Sequence, residues 1–238
     1  MCKTLPPMLN RMTQTLTIFL IVTLTSCDYF PKSASISDME SQQIASFDTN
    51  SITSDSVIIG TQIWTTRNLD VDTFQNGDPI PKAKSIAEFK QAGKEGKPAW
   101  CYYDNDSSNF IYGKLYNWYA VTDKRRLAPT GWHIPTTNEW DVLTSFLGGE
   151  ELCGKKLRHT SGWYTGGNGD NTSGFSAIPG GDFMDFGFSS IGELGFWWTS
   201  TKCYDGAAYA RYLNYSYDPL LFASFSTGAG FSVRCVKD

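Results

Sequence analysis

Histidine is scarce, with only His133 and His159 among 238 residues, and two are too few for a three-histidine iron site. No G-x-S-x-G occurs, so the sharp turn that presents a hydrolase serine is missing. No C-x-x-C pair occurs either, which removes the usual redox dithiol and zinc-ribbon spacings. Basic residues are not in excess: 20 Lys and Arg face 24 Asp and Glu, for a formal charge of -4. A nucleic-acid footprint would need a basic surface, so no nucleic-acid partner is expected. The apolar stretch Leu16 to Leu24 is nine residues long, well short of the roughly 20 needed to span a bilayer as a helix.

That short stretch is informative for another reason. Lys3 and Arg11 precede it, and Leu24-Thr25-Ser26-Cys27 closes it in the pattern of a bacterial lipobox. The expectation is a lipoprotein signal peptide over residues 1–26, cleavage before Cys27, and acylation of Cys27 as the lipid attachment site. Several acyl chains on one residue give stable anchoring where a single chain gives only marginal binding. The membrane is then a partner through the lipid anchor, and the location is the cell envelope, at the outer membrane or cell surface. Losing Lys3 and Arg11 with the leader takes the charge from -4 to -6. Four cysteines remain, Cys101, Cys153, Cys203 and Cys235. An even number outside the cytosol fits disulfides, with buried free thiols as the alternative, and spacing does not choose a connectivity.

Residues 27–56 are rich in Ser, Asp, Thr and Gln without an apolar period and read as a flexible tether. From Val57 the texture changes to frequent Trp, Tyr, Phe and Gly, giving one domain over 57–238. Val57 to Trp64 reads as two short strands around Gly60, and Asn76-Gly77-Asp78-Pro79 forces a turn. Ser85 and Glu88 have capping-box spacing, with Ile86 and Phe89 on one face of a helix running to about Ala92. Pro98 to Tyr103 is extended. Tyr112, Leu115, Tyr116 and Tyr119 recur at helical spacing, which predicts a helix over Leu115 to Tyr119. Thr136 and Glu139 form a second capping box before Trp140, Leu143 and Leu147, and Gly148-Gly149 stops that helix. Past Gly162 the helical period is lost. Trp197 to Ser200, Ala208 to Leu213 and Phe231 to Val236 read as strands joined by long loops, so the class is α+β.

Seven blocks now stand in order: Gly60 to Trp64, Pro98 to Tyr103, Tyr112 to Tyr119, Ala128 to Pro135, Ser173 to Gly181, Trp197 to Thr201 and Gly230 to Val236. Together they closely resemble the Fibrobacter succinogenes major paralogous domain family, over almost everything from Val57 to Asp238. The resemblance implies a single C-type-lectin-like domain, related to the formylglycine-generating-enzyme fold, with two or three helices, short irregular antiparallel strands, long loops and chain ends brought together. No reaction or ligand comes with the family. Cys101 and Cys235 fall in family blocks and either pair or stay buried. Cys153 and Cys203 fall outside the family pattern and are expected to form a private disulfide. Copper-dependent oxidases of the related fold use two nearby cysteines, and no two cysteines here are close in sequence.

Candidate sites follow from loop chemistry. Trp163, Tyr164, Tyr215 and Tyr217 lie beside glycine-rich loops with Asp182 and Asp185 near in sequence, a set suited to stacking on sugar or peptide while polar groups fix hydroxyls. Asn168, Asp170 and Asn171 are oxygen-bearing and glycine-flanked, the only set offered for a structural calcium; otherwise no cofactor is expected. Asp104-Asn105-Asp106 begins like a calcium loop but lacks its glycine and closing glutamate. His133, between Trp132 and Ile134, reads as a hydrogen-bonded structural histidine, and Arg211 and Arg234 as members of structural ion pairs. The reading is a lipid-anchored, non-catalytic recognition module for glycan or protein, with specificity in loops Gly162 to Gly192 and Tyr204 to Gly228. The alternatives are a structural or assembly component of the envelope and, third, a degenerate oxidase of the formylglycine-generating type.

Overall fold

A computed structural model describes residues 55–238, which belong to one compact unit with its own core. In chain order the elements are β1 (Ser56–Ile59), β2 (Gln62–Thr65), α1 (Ile86–Lys94), β3 (Trp100–Cys101), β4 (Leu115–Tyr116), α2 (Trp118–Val121), β5 (Trp132–His133), α3 (Thr137–Phe146) and α4 (Gly154–Leu157). Then come β6 (Gly180–Met184), β7 (Gly187–Ile191), β8 (Leu194–Tyr204), β9 (Ala207–Asn214), β10 (Tyr217–Ser226) and β11 (Val236–Lys237). The class is mixed α+β. One sheet has the order β1-β2-β11-β5, a second β10-β9-β8-β6-β7, and β3 and β4 form a two-stranded pair. Val236 pairs with both Trp64 and His133, so the last strand docks on β2 of the N-terminal hairpin and the ends of the domain come together, as expected.

Local chemistry explains most elements. Gly60, at φ 63°, makes the tight turn between β1 and β2 that a side chain would oppose. In α3 the full capping box forms, with the Thr136 hydroxyl accepting the Glu139 N–H and Glu139 reaching back to the Thr136 N–H. Trp140, Leu143 and Leu147 are buried on one side. In α1 the Ser85 cap is present, but Glu88 reaches one residue further and accepts the Lys84 N–H. Phe89 is buried while Ile86, expected to share its face, is exposed.

Three expectations are corrected. The helix over Leu115 to Tyr119 is not there. Tyr116 exchanges both backbone hydrogen bonds with Phe231, which fixes it as strand, and only Trp118–Val121 is helical behind its Asn117 cap. In the stretch Tyr204 to Gly228, where loops were expected around an Ala208 to Leu213 strand, that strand forms as part of β9, but the rest is chiefly its hairpin partner β10, and Gly180 to Ile191 in the other expected loop is the hairpin β6–β7. Phe231 to Cys235 does not form a strand of its own. It passes between the sheets on isolated bridges, Tyr116 with Phe231 and Trp197 with Ser232.

The second sheet separates two cores through the two-residue period of its central strand. Phe196 and Trp198 point into a cluster with Tyr116 and Phe231, whereas Trp197 points into one with Trp64, Trp140 and Phe175. Rings meet closely in both, Trp198 to Phe231 at 4.5 Å and Trp64 to Trp140 at 4.8 Å between centroids. A third cluster holds Phe89 of α1 against Phe183 and Leu115. Arg211 ties α3 to this sheet by pairing with Asp141 and Glu150, as expected of a structural ion pair.

Arg234 is different. It is fully buried and has no carboxylate partner among the described residues; its guanidinium donates to Asn68 Oδ1 at 2.7 Å, Thr65 O at 2.7 Å, Phe175 O at 2.8 Å and Ser176 O at 2.9 Å. It also stacks 4.6 Å from the Phe175 ring centroid. Burial lowers its pKa to about 9, so it remains charged at neutral pH. Asn68 completes the junction, accepting Trp197 Nε1 and donating to Tyr112 O and Ser232 Oγ.

The expected disulfides are absent: Cys101, Cys153, Cys203 and Cys235 are all free. The reason is placement. Cys101, Cys153 and Cys235 are buried in three different apolar clusters, and Cys203 sits half-buried near the outer end of β8. Burial pushes the thiol of Cys235 up to about 12 and that of Cys153 up to about 11, and that of Cys101 upward as well. Thiols with so little thiolate are poor nucleophiles.

Two outcomes follow. Iodoacetamide at about pH 8 should label Cys203 but spare the three buried thiols until the domain is denatured, read by peptide mass spectrometry; a linked cysteine pair would contradict the placement. Arg234→Met should cost about 3 kcal/mol or more in denaturant unfolding, because it strands several buried acceptors at once. Arg67→Ala, which removes only an exposed pair with Asp55, should leave the midpoint nearly unchanged.

Candidate functional cleft

A recess is built where β5 meets α3. Gly131 turns the chain at φ 79°, Trp132 and His133 pair with β11, and the Asp238 N–H donates to Gly131 O at 3.0 Å. Pro135 and Thr136 then start α3, which brings Glu139 back towards β5. His133 lies between two carboxylates as a result: Nε2 is 2.6 Å from Glu139 Oε1 and Nδ1 is 2.8 Å from Asp238 Oδ1. Glu139 is fully committed, since Oε2 accepts both the Thr136 N–H at 2.8 Å and its hydroxyl at 2.9 Å.

Ionised carboxylates only accept, so this placement favours the ring with both nitrogens donating, an imidazolium. Burial works against that charge, but the Glu139 and Asp238 carboxylates outweigh it and hold the His133 pKa above its ordinary 6.5. Glu139 is buried too, which alone would raise it; the Thr136 N–H, His133 and the Thr136 hydroxyl outweigh burial and hold it below its ordinary 4.5. With no lone pair free, this histidine can neither take a proton as a base nor ligate a metal while the pairing lasts. It is the hydrogen-bonded structural histidine that its sequence context predicts.

Around it opens a cleft of about 920 Å³. Val121, Leu127, Ala128 and Ile134 make an apolar floor, the half-buried Trp132 a wall, and Asp123, Arg126, Ser200 and Asp238 line it with polar groups. Arg125 clamps Asp123 with two hydrogen bonds of 2.9 Å, which holds that carboxyl below the usual range. The Arg125 guanidinium also stacks 4.1 Å from the Phe74 ring centroid.

The residues chosen from sequence lie elsewhere, and only some come together. Tyr164 is 57% exposed and meets the half-buried Tyr215 edge-on at 5.4 Å, forming a surface corner. Trp163 supports this corner from below instead of presenting a face: it is 5% exposed and its indole donates to Ala177 O at 2.9 Å. Tyr217 is exposed, and its carbonyl accepts Arg158 Nη1. Asp182 is buried with Ser189 Oγ at 2.8 Å, and burial raises its pKa. Asp185 is exposed at the β6–β7 turn, the end of that hairpin remote from Gly192, whose carbonyl holds the Tyr164 N–H.

The candidate calcium oxygens shape their own loop. Asn168 Oδ1 accepts the Trp163 N–H, Asp170 Oδ1 the Thr172 N–H and hydroxyl, and Asn171 Oδ1 the Ser176 N–H. Among the described residues no group of three or more His, Cys, Asp or Glu side chains is placed to hold a metal ion, and no helix is long and apolar enough to cross a membrane. Cys27, the 1–26 leader and nearly all of the 27–56 tether lie outside the described residues. Sequence reasoning missed the partners of His133. The capping box did place Glu139 near it, whereas Asp238, 105 positions away, leaves no local signal.

The His133 cluster sets a pH dependence. Its raised pKa contributes stability that is full below about 6.5 and lost as pH rises through the folded value; the lowered Glu139 contributes above about 4.5 and is lost on acidification. The deficit of His133→Gln in denaturant unfolding should therefore be greatest between those limits and shrink by about pH 9. An equal deficit at both pH values would show that the ring acts by packing alone.

Comparison with known proteins gives one result. No curated protein and no solved structure matches the chain. The family model described as Fibrobacter succinogenes major domain matches residues 57–237, which include the Arg234 junction and all of the cleft lining but Asp238, and the chain therefore belongs to that family.

Proposed function

We propose that this is a non-catalytic recognition domain of the cell envelope, held to a membrane by lipid on Cys27, that binds glycan in the Trp132–His133 cleft. The observation that carries the reading is the imidazolium fixed between Glu139 and Asp238. It spends the recess's one histidine on structure, and leaves a preformed pocket with an indole wall, an apolar floor and polar groups. A sugar matches that mixture, because its C–H face stacks on an aromatic ring while its hydroxyls take fixed polar partners. The exposed Tyr164–Tyr215 corner supports a second reading, in which the glycan or a protein is held there.

A glycan array with the domain 55–238, run with calcium and with a chelator, separates the two. Trp132→Ala should weaken binding about tenfold or more, equivalent to about 1.4 kcal/mol, while Tyr164→Ala with Tyr215→Ala leaves it intact. The reverse pattern would move the site to the corner. The chelator should change nothing, given that the loop oxygens already accept local hydrogen bonds. Absence of any glycan binding by folded domain would favour an assembly role in the envelope.

A further inference from the structure

The charges of the cleft do not cancel locally, and the remainder describes a ligand. Asp123 is neutralised by the two-point clamp of Arg125. His133 supplies one positive charge to two carboxylates, so the Glu139–His133–Asp238 group carries one net negative charge. Glu139 has both oxygens engaged, which leaves the excess on the exposed Asp238, whose bond to the ring uses Oδ1. Arg126 has the opposite imbalance: it is exposed, lines the same cleft, and forms no ion pair among the described residues.

The backbone at Arg126 is also unusual. It sits at φ 61°, a left-handed conformation that costs a branched or long side chain and that glycine or asparagine adopts more readily. Its N–H donates to Asp123 O and its carbonyl accepts the Gln75 N–H, both at 2.9 Å. The fold therefore enforces a strained position and places an uncompensated cation on it. Strain of this kind persists where the surroundings over-determine it, and functional sites are where it collects.

We propose that the cleft binds a zwitterionic glycan, one with a carboxylate for Arg126 and a free ammonium for Asp238, joined by a sugar body that stacks on Trp132. The proposal rests on the glycan reading of this cleft and adds the charge of the ligand. A guanidinium recognises a carboxylate in two-point geometry, and a carboxylate recognises an ammonium by a charge-assisted hydrogen bond. A ligand with only one charge leaves the other protein charge unmatched.

Four disaccharide probes test this by titration calorimetry with the domain 55–238: N,N′-diacetylchitobiose (neutral), an N-acetylated glucuronate disaccharide (acid), chitobiose (amine) and the N-unsubstituted glucosamine–glucuronate disaccharide (both). The last should bind about tenfold or more tighter than the neutral probe. Arg126→Gln should reduce it to the affinity of the amine probe, and Asp238→Asn to that of the acid probe. Trp132→Ala should weaken all four. Equal affinity for the four probes with Trp132 still required would overturn the charge proposal and leave the glycan site standing. No binding by any probe, with the fold verified by its unfolding transition, would overturn both.

Discussion

The rest of the domain depends on one buried guanidinium. Arg234 enters between the sheets without a counter-ion among the described residues and is solvated by carbonyls and an amide from two distant parts of the chain: Thr65 with Asn68, and Phe175-Ser176. Desolvating an unpaired charge is expensive, so the site exists only if all its acceptors are in place together. That makes the junction a condition on the whole architecture. The N-terminal hairpin, the glycine-rich middle and the C-terminal run must each be correctly positioned, or a charge is left buried without partners. Asn68 extends the condition to β8 through Trp197 Nε1 and to the Tyr112 segment through its amide.

Much of this domain was legible wherever a local rule acts. The Gly60 hairpin and the Thr136–Glu139 box were read correctly because the turn and the cap are settled by residues within four positions. The failures share the opposite property. Leu115 and Tyr116 have helical spacing to Tyr119, yet Phe231, far along the chain, claims the Tyr116 backbone. In the β9–β10 hairpin, Ala208 to Leu213 was legible as strand, whereas β10 was not, because it opens on Tyr217-Asp218-Pro219, which reads as a turn. Cysteine parity pointed to disulfides, but parity says nothing about which cluster each thiol enters.

The candidate site divides the same way. Composition gave Tyr164 and Tyr215 as aromatic loop residues, and they do meet at the surface. It could not tell Trp163 or Asp182 from them, because burial is a property of the folded neighbourhood. The cleft was not legible from its lining: Trp132 belongs to a family block that reads as core, and Asp238 acquires its meaning only when β11 docks on β5. Strand pairing, not sequence proximity, assembles the pocket.

That late docking also sets an order of events. Phe231, Ser232, Arg234, Val236 and Asp238 close the core, the Asn68 junction, the first sheet and the cleft, and they are the last part of the domain to be synthesised. Until they arrive, the hairpin β1–β2 lacks its neighbour and the carbonyls of Phe175 and Ser176 lack their donor. A nascent chain that has not yet released these residues is thus kept from completing the domain's fold.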